Sequence, residues 1–252
     1  MSLDQQKFPE RLLSQEAERR LSSQLDQVDS IRVDVQTDIL KIFQGQLDAV
    51  SLAGEGLVVQ DQIRVQEIHL QTDSINFNPL SVIFGQIQLN APVNAMAKIV
   101  ITEADINLAL NSEFIYTQDM ELCLDGKPVK FQLKKIQISL GDNQEIECNG
   151  EILMTENLQS HNLEYTAIIK PPLHASNTSF KDFRCLQETG ISLDLITALM
   201  QKIKELINLS YFQWHDIGLL IKDITIAEKK LILIVEAIVK QIPPIVNTLS
   251  ST

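Results

Sequence analysis

The sequence predicts an α+β protein in which a strongly curved antiparallel sheet rolls around one long apolar helix, with an amphipathic helix at the N-terminus. Two observations point there. First, long apolar/polar alternations slip phase by one residue partway along. Val129, Phe131, Leu133 give way to Ile136, Ile138, Leu140; Ile63, Val65 to Ile68, Leu70; and Ile217, Leu219, Ile221 to Ile224, Ile226. A period of two marks a strand with one buried face, and an extra residue, as at Lys134-Lys135, is either a bulge that bends the strand or the strand's end. Second, Leu193, Leu195, Ile196, Leu199, Met200, Ile203, Leu206 and Ile207 cover well over half of one helical circumference. A helix that apolar must be enclosed, and a curved sheet encloses it.

Along the chain, Leu13, Ala17, Leu21, Leu25 and Val28 recur every three to four residues opposite Glu16, Glu18 and Arg19. This predicts an amphipathic helix from Pro9 to about Val28, packed on its own domain because its charges are mixed rather than basic. Strands are expected at Ile31 to Val35, Leu47 to Val59 and Ile63 to Ile75, with a bend or bulge at Gly54 and Gly56. Short helices are expected at Asp38 to Phe43, stopping at Gly45, and at Pro79 to Phe84, stopping at Gly85, the second capped by Asn78. A strand from Val93 to Ile101 runs into Thr102-Glu103-Ala104-Asp105, a capping pattern for a helix over Glu103 to Leu110. Further strands are expected at Val129 to Leu140, Glu145 to Met154, Leu163 to Lys170, Ile217 to Ile226 and Leu231 to Val239, the last central because both its faces are apolar. A polar loop is expected from Pro171 to Gly190. The whole reads as one domain over residues 9–241, with a flexible start at 1–8 and a tail at 242–252 that frays after Pro243-Pro244.

A chain of 252 residues can bury on the order of 70–75% of its unfolded surface. Aromatics are only 5% of the residues, so Leu, Ile and Val carry the core. A formal net charge of −12 repels phosphate backbones at long range and argues against nucleic acid. Cys123, Cys148 and Cys185 are odd in number and widely spaced, which fits free thiols and excludes a paired-cysteine zinc site. Neither a secretory apolar region nor a membrane-spanning apolar run is visible, so the expected location is cytoplasmic or peripheral to a membrane.

The sequence holds no GxSxG elbow, phosphate loop, dinucleotide fingerprint or HExxH motif. His69, His161, His174 and His215 lack metal-spaced partners, Cys185 beside Arg184 has no nearby base, and Glu145, Glu147 and Glu151 read as one solvated strand face. No catalytic residue, metal or cofactor is expected. What remains is an interior feature. Val93, Ala95 and Ala97 give one strand face unusually small side chains, leaving either close helix–sheet packing or a cavity.

Three segments resemble the LmeA-like phospholipid-binding family of cyanobacteria and actinobacteria: Gly45-Gln46-Leu47-Asp48-Ala49-Val50, Gly54-Glu55-Gly56-Leu57-Val58, and Ile101-Thr102-Glu103-Ala104-Asp105-Ile106-Asn107-Leu108-Ala109-Leu110-Asn111. The likeness runs from about Leu12 to Val239. It implies a tubular lipid-binding architecture, with a long helix inside a curved antiparallel sheet and acyl chains in the gap. These motifs are structural and nominate no headgroup-binding residue, and no export signal of the kind carried by exported actinobacterial members is visible here.

The resulting expectation is a non-enzymatic binder, and carrier, of phospholipid or another acyl lipid. The acyl site would lie between Val93, Ala95 and Ala97 on the sheet and Leu193, Ile196, Met200, Ile203 and Ile207 on the helix. Lys130, Lys134 and Lys135 would either meet a phosphate at the mouth or serve as exposed edge-strand charges. Peripheral membrane contact is a further expectation. The rival readings are a membrane-associated scaffold with a fully packed core and, against the missing motifs, a lipid-modifying enzyme.

Overall fold

A computed structural model describes residues 8–59, 63–83, 87–111, 120–124, 127–156, 159–171, 179–185, 197, 211–214 and 217–241. The elements, in chain order, are α1 (Phe8–Ser22), β1 (Ser30–Gln36), α2 (Ile39–Phe43), β2 (Gln46–Leu47), β3 (Ala49–Val59), β4 (Ile63–Thr72), β5 (Ile75–Asn76), α3 (Pro79–Ile83), β6 (Val93–Thr102) and α4 (Glu103–Leu110). After them come β7 (Met120–Leu124), β8 (Lys127–Gly141), β9 (Glu145–Glu156), β10 (Gln159–Lys170), β11 (Ser179–Cys185), β12 (Tyr211–Trp214), β13 (Ile217–Ala227) and β14 (Lys230–Val239). The fold is α+β, dominated by antiparallel strands.

Among the described residues the strands form a seven-stranded sheet ordered β1-β3-β4-β6-β14-β13-β12, a five-stranded sheet ordered β11-β10-β9-β8-β7, and the short pair β2-β5. The chain leaves the first sheet after β6, passes through α4, builds the second sheet, and returns so that β14 pairs with β6. This makes β14 an interior strand, as expected, although only one of its faces is buried, at Val235 and Ala237, while Ile238 on the other is exposed.

Two of the three phase slips are bulges. The β8–β9 register shifts between Leu133 and Lys135, and the β13–β14 register shifts between Ile221 and Asp223. The third is not: β4 keeps a constant register against β3 from Ile63 to Gln71 and against β6 from Glu67 to Thr72. Its side chains are half-buried on both faces, so the change of apolar face costs no inserted residue. Helix α1 ends at Ser22, short of the expected Val28, and Leu13 is exposed while Ser14 is buried. The strand expected from Leu47 is broken at Asp48, whose amide donates to the Gln36 carbonyl, and β11 occupies part of the expected Pro171–Gly190 loop. The long apolar helix expected over Leu193 to Ile207 lies outside the described residues apart from Thr197.

Local signals placed the small helices. Asp38 caps α2 by accepting from the Lys41 amide, Asn78 accepts from the Leu80 amide, and Thr102 accepts from the Asp105 amide. Gly45 closes α2 at φ +74°, with the Phe77 carbonyl oxygen where a Cβ would stand, and so lets the chain of β5 and α3 pack directly on the end of α2.

Among the described residues an apolar cluster fills one face of the five-stranded sheet, around Val129, Phe131, Ile152 and Leu163, each about as buried as a side chain can be. Tyr165 lies across Gly150 of the neighbouring strand and stacks on Phe183 with ring centroids 5.9 Å apart.

Candidate functional site

The expected small-residue strand is β6, and its alternation is clean: Val93, Ala95 and Ala97 are buried while Asn94, Met96 and Lys98 are exposed. Register extends that face across the sheet. Ala97 pairs with Leu70 on one side and Val235 on the other, Leu70 with Leu52, and Leu52 with Val33. One row further, Ala95 pairs with Thr72 and with Ala237. Side chains directly opposite on antiparallel strands share a face, so these rows make one face, apolar but for the Thr72 hydroxyl that accepts from the Val50 amide, whose middle is lined by alanines. Val33, Val93, Ala95, Ala97, Val235 and Ala237 are each at most 6% exposed.

Such a surface has no group that takes up or gives a proton. Its side chains are small and of low polarity, a chemistry that suits contact with methylenes rather than with a polar substrate. Among the described residues no three His, Cys, Asp or Glu side chains are placed to hold a metal ion. Cys185 is no activated nucleophile: burial pushes its thiol up, and Arg184 is engaged with Asp182 at 2.6 Å.

The opposite face of the same strands carries a depression of about 460 Å³ with Ser51 and Ala53 beside the longer Arg32, His69, Met96 and Lys98. Ala97 borders it too, although its side chain belongs to the buried alternation. No pattern in the sequence marks this depression, because its lining comes from five strands brought together only by the sheet pairing. It is open and mixed in charge, and His69 is held by Glu67 at 2.6 Å.

The remaining expected residues separate from the alanine face. Lys130, Lys134 and Lys135 are exposed on β8, in the other sheet, on the face away from Val129 and Phe131. Lys134 donates to Gln132 Oε1 at 2.7 Å. Leu193, Ile196, Met200, Ile203 and Ile207 lie outside the described residues. The acidic strand face is not uniform: Glu147 is exposed, but Glu145 is buried, 2.8 Å from Lys181 Nζ and bonded by Asn143, and Lys181 holds its carboxyl below the ordinary carboxylate range. Lys181 lies on β11, which reads as loop, so the partnership had no signal in the sequence.

Among the described residues no helix is long and apolar enough to cross a membrane. The model of the family described as LmeA-like phospholipid-binding matches residues 6–236, nearly the whole chain. No curated protein and no solved structure matches it.

Proposed function

The chain belongs to the LmeA-like phospholipid-binding family, and from that premise we propose that it holds acyl chains against the alanine-lined face of the seven-stranded sheet. The observation that supports this reading is the buried face around Val93, Ala95 and Ala97, whose strand neighbours Leu70, Thr72, Val235 and Ala237 carry no ionisable group. In this proposal Leu193, Ile196, Met200, Ile203 and Ile207 supply the other wall, and the bulged strands roll around them in the tubular lipid-binding manner. The protein acts without chemistry, as a binder that can carry lipid between membranes, and residues 9–241 form its single domain.

The energetics suffice. At roughly 0.8 kcal/mol per buried methylene, about ten enclosed methylenes gain about 8 kcal/mol before ordering costs. Lys130, Lys134 and Lys135 enter the proposal only as a headgroup contact, tested by whether Lys→Gln changes at all three alter headgroup preference while leaving the amount bound unchanged.

Native mass spectrometry of the purified chain, followed by solvent extraction and lipid identification, tests the central reading. A stoichiometric phospholipid is the expected result. A clean apo mass that stays apo after incubation with phospholipid vesicles would leave the packed scaffold as the better account.

A further inference from the structure

Helices α2 and α3 meet at one end of the seven-stranded sheet. The β2–β5 pair joins their flanks, and the Phe77 amide donates to the Gly45 carbonyl at 2.7 Å. At this end the chain exposes what it buries elsewhere: Phe43 is 76% exposed, Leu40 70%, Leu80 65% and Ile39 54%. The surrounding sequence is equally unusual. In a chain with 21% charged residues, Ser74 to Ala97 contains none, and the Lys41 charge is neutralised by Asp48 at 2.6 Å.

We propose that this α2–α3 tip docks the protein on a phospholipid bilayer of low surface charge. Two features, the wedge shape and the charge, select that occupant. The exposed side chains are large, apolar and clustered on two short helices, a wedge that can enter the headgroup boundary. Together they expose on the order of 500 Å² of side chain, as large as the largest apolar patch of a typical monomer, which marks the tip as a contact surface. The tip lacks the basic collar that anionic lipids attract, and the net charge of −12 opposes such lipids. Position adds a reason. The strand ends nearest the tip are Gln36, Ala49, Thr72 and Val93, so the docked end is the end at which the Val93–Ala95 part of the apolar face begins. The inference rests on the proposed lipid binding for its purpose and on the tip alone for its geometry.

The test is co-sedimentation of the full chain with phosphatidylcholine vesicles, at low and high salt, for the unmodified protein and for Leu40→Glu/Phe43→Glu and Leu80→Glu. Thermal unfolding serves as the fold control. Uptake of a short-chain fluorescent phosphatidylcholine below its micelle concentration is measured in parallel. We expect salt-insensitive vesicle binding that falls about tenfold or more in each variant, with monomeric uptake unchanged. No vesicle binding by the unmodified chain, or equal binding by all three proteins, overturns the docking tip. A dimer that the substitutions split, without vesicle binding, overturns it in favour of a second copy. Tip-dependent vesicle binding without monomeric uptake leaves docking standing and removes the proposed acyl site instead.

Discussion

Asn107 holds both backbone groups of Ile138: its Nδ2 donates to the carbonyl oxygen at 2.8 Å and its Oδ1 accepts from the amide at 2.7 Å. The same helix face continues the pattern, with Glu103 accepting from the Leu140 amide at 2.8 Å and Asn111 donating to the Ile136 carbonyl at 3.1 Å. Four residues of helix rise about 6 Å and two residues of strand about 6.8 Å, so side chains at i, i+4 and i+8 meet alternate residues along a strand edge. Helix α1 repeats the device on β1, where Glu18 accepts from the Val33 amide, Ser14 from Val35 and Glu10 from Thr37. Both helices thus cover strand edges that would otherwise invite another strand. The β8–β9 turn adds a third clasp, since Gln144 bonds both the amide and the carbonyl of Ile226 and ties the five-stranded sheet to β13.

Removing the Asn107 clasp strands two half-buried peptide groups. Asn107→Ala is expected to lower unfolding free energy by about 1–3 kcal/mol, and Asn107→Leu, which keeps the bulk, by a similar amount. Urea unfolding measures both. If the leucine variant retains full stability, the contact is packing and not hydrogen bonding.

The α1 clasp is weaker and separate. Ser14→Ala should cost about 1 kcal/mol, and because the two helices guard different sheets, its effect should add to that of Asn107→Ala within about 0.5 kcal/mol. Strong non-additivity in the double variant would mean that the two edges unfold as one unit.

These clasps also mark where sequence reading stops. Asn78, Thr102 and Gly45 are legible because a cap acts within four residues, whereas Asp38, read as the first residue of α2, stands outside it as its cap; the bulges near Lys134 and Lys222 show as slips because an inserted residue moves the phase of the alternation. Glu18 reads as part of a polar helix side and Ser14, Asn107 and Asn111 carry no signal of their own, since a side chain bonding a distant strand edge has the same polarity as one facing water. Strand β11 was missed for a related reason: its register shifts between Ile168 and Ile169 of its partner, so Phe180 and Phe183 fall out of step within only seven residues. For the site, the alternation of β6 placed Val93, Ala95 and Ala97 on one buried face. Their neighbours Leu70, Val235 and Ala237 come from strands remote in sequence, which only the pairing reveals.

The Tyr165 ring over Gly150 leaves no room for a side chain. A Cβ there would stand 2.5 Å from the ring, inside a core with little slack. Gly150→Ala should destabilise by about 1–3 kcal/mol, and Gly150→Val by more. Combining Gly150→Ala with Tyr165→Leu should recover part of the loss in urea unfolding. No recovery would locate the strain in the backbone rather than against the ring.

Glu145 gives the fold an acid-sensitive element. The Lys181 hydrogen bond is the main reason its pKa lies below the ordinary 4.5, helped by Lys170 and Asn143 and opposed by burial. A carboxylate with a depressed folded pKa contributes stability above its unfolded pKa and loses it as pH falls through the folded value. Stability should therefore fall on acidification below about pH 4.5 in part through this group. Glu145→Gln should be less stable at neutral pH and show a shallower acid decline in chemical denaturation. Equal slopes for the two proteins would assign the decline to other carboxylates.

Ala97 decides between an acyl-lined and a packed interior. It stands between Leu70 and Val235 in the middle of the buried face and is 6% exposed. In a fully packed core, Ala97→Phe adds a ring with nowhere to go and costs about 1–3 kcal/mol, as overpacking does. Where an acyl chain lies against the alanines, the ring takes the space of several methylenes instead. Phospholipid uptake should then fall at least severalfold while the lipid-free protein loses less than about 1 kcal/mol. Measuring uptake and urea unfolding on the same preparation separates the two, because lipid competition spares the fold and steric packing does not. A variant that is strongly destabilised, or one that binds lipid as before, would move the acyl site away from this face.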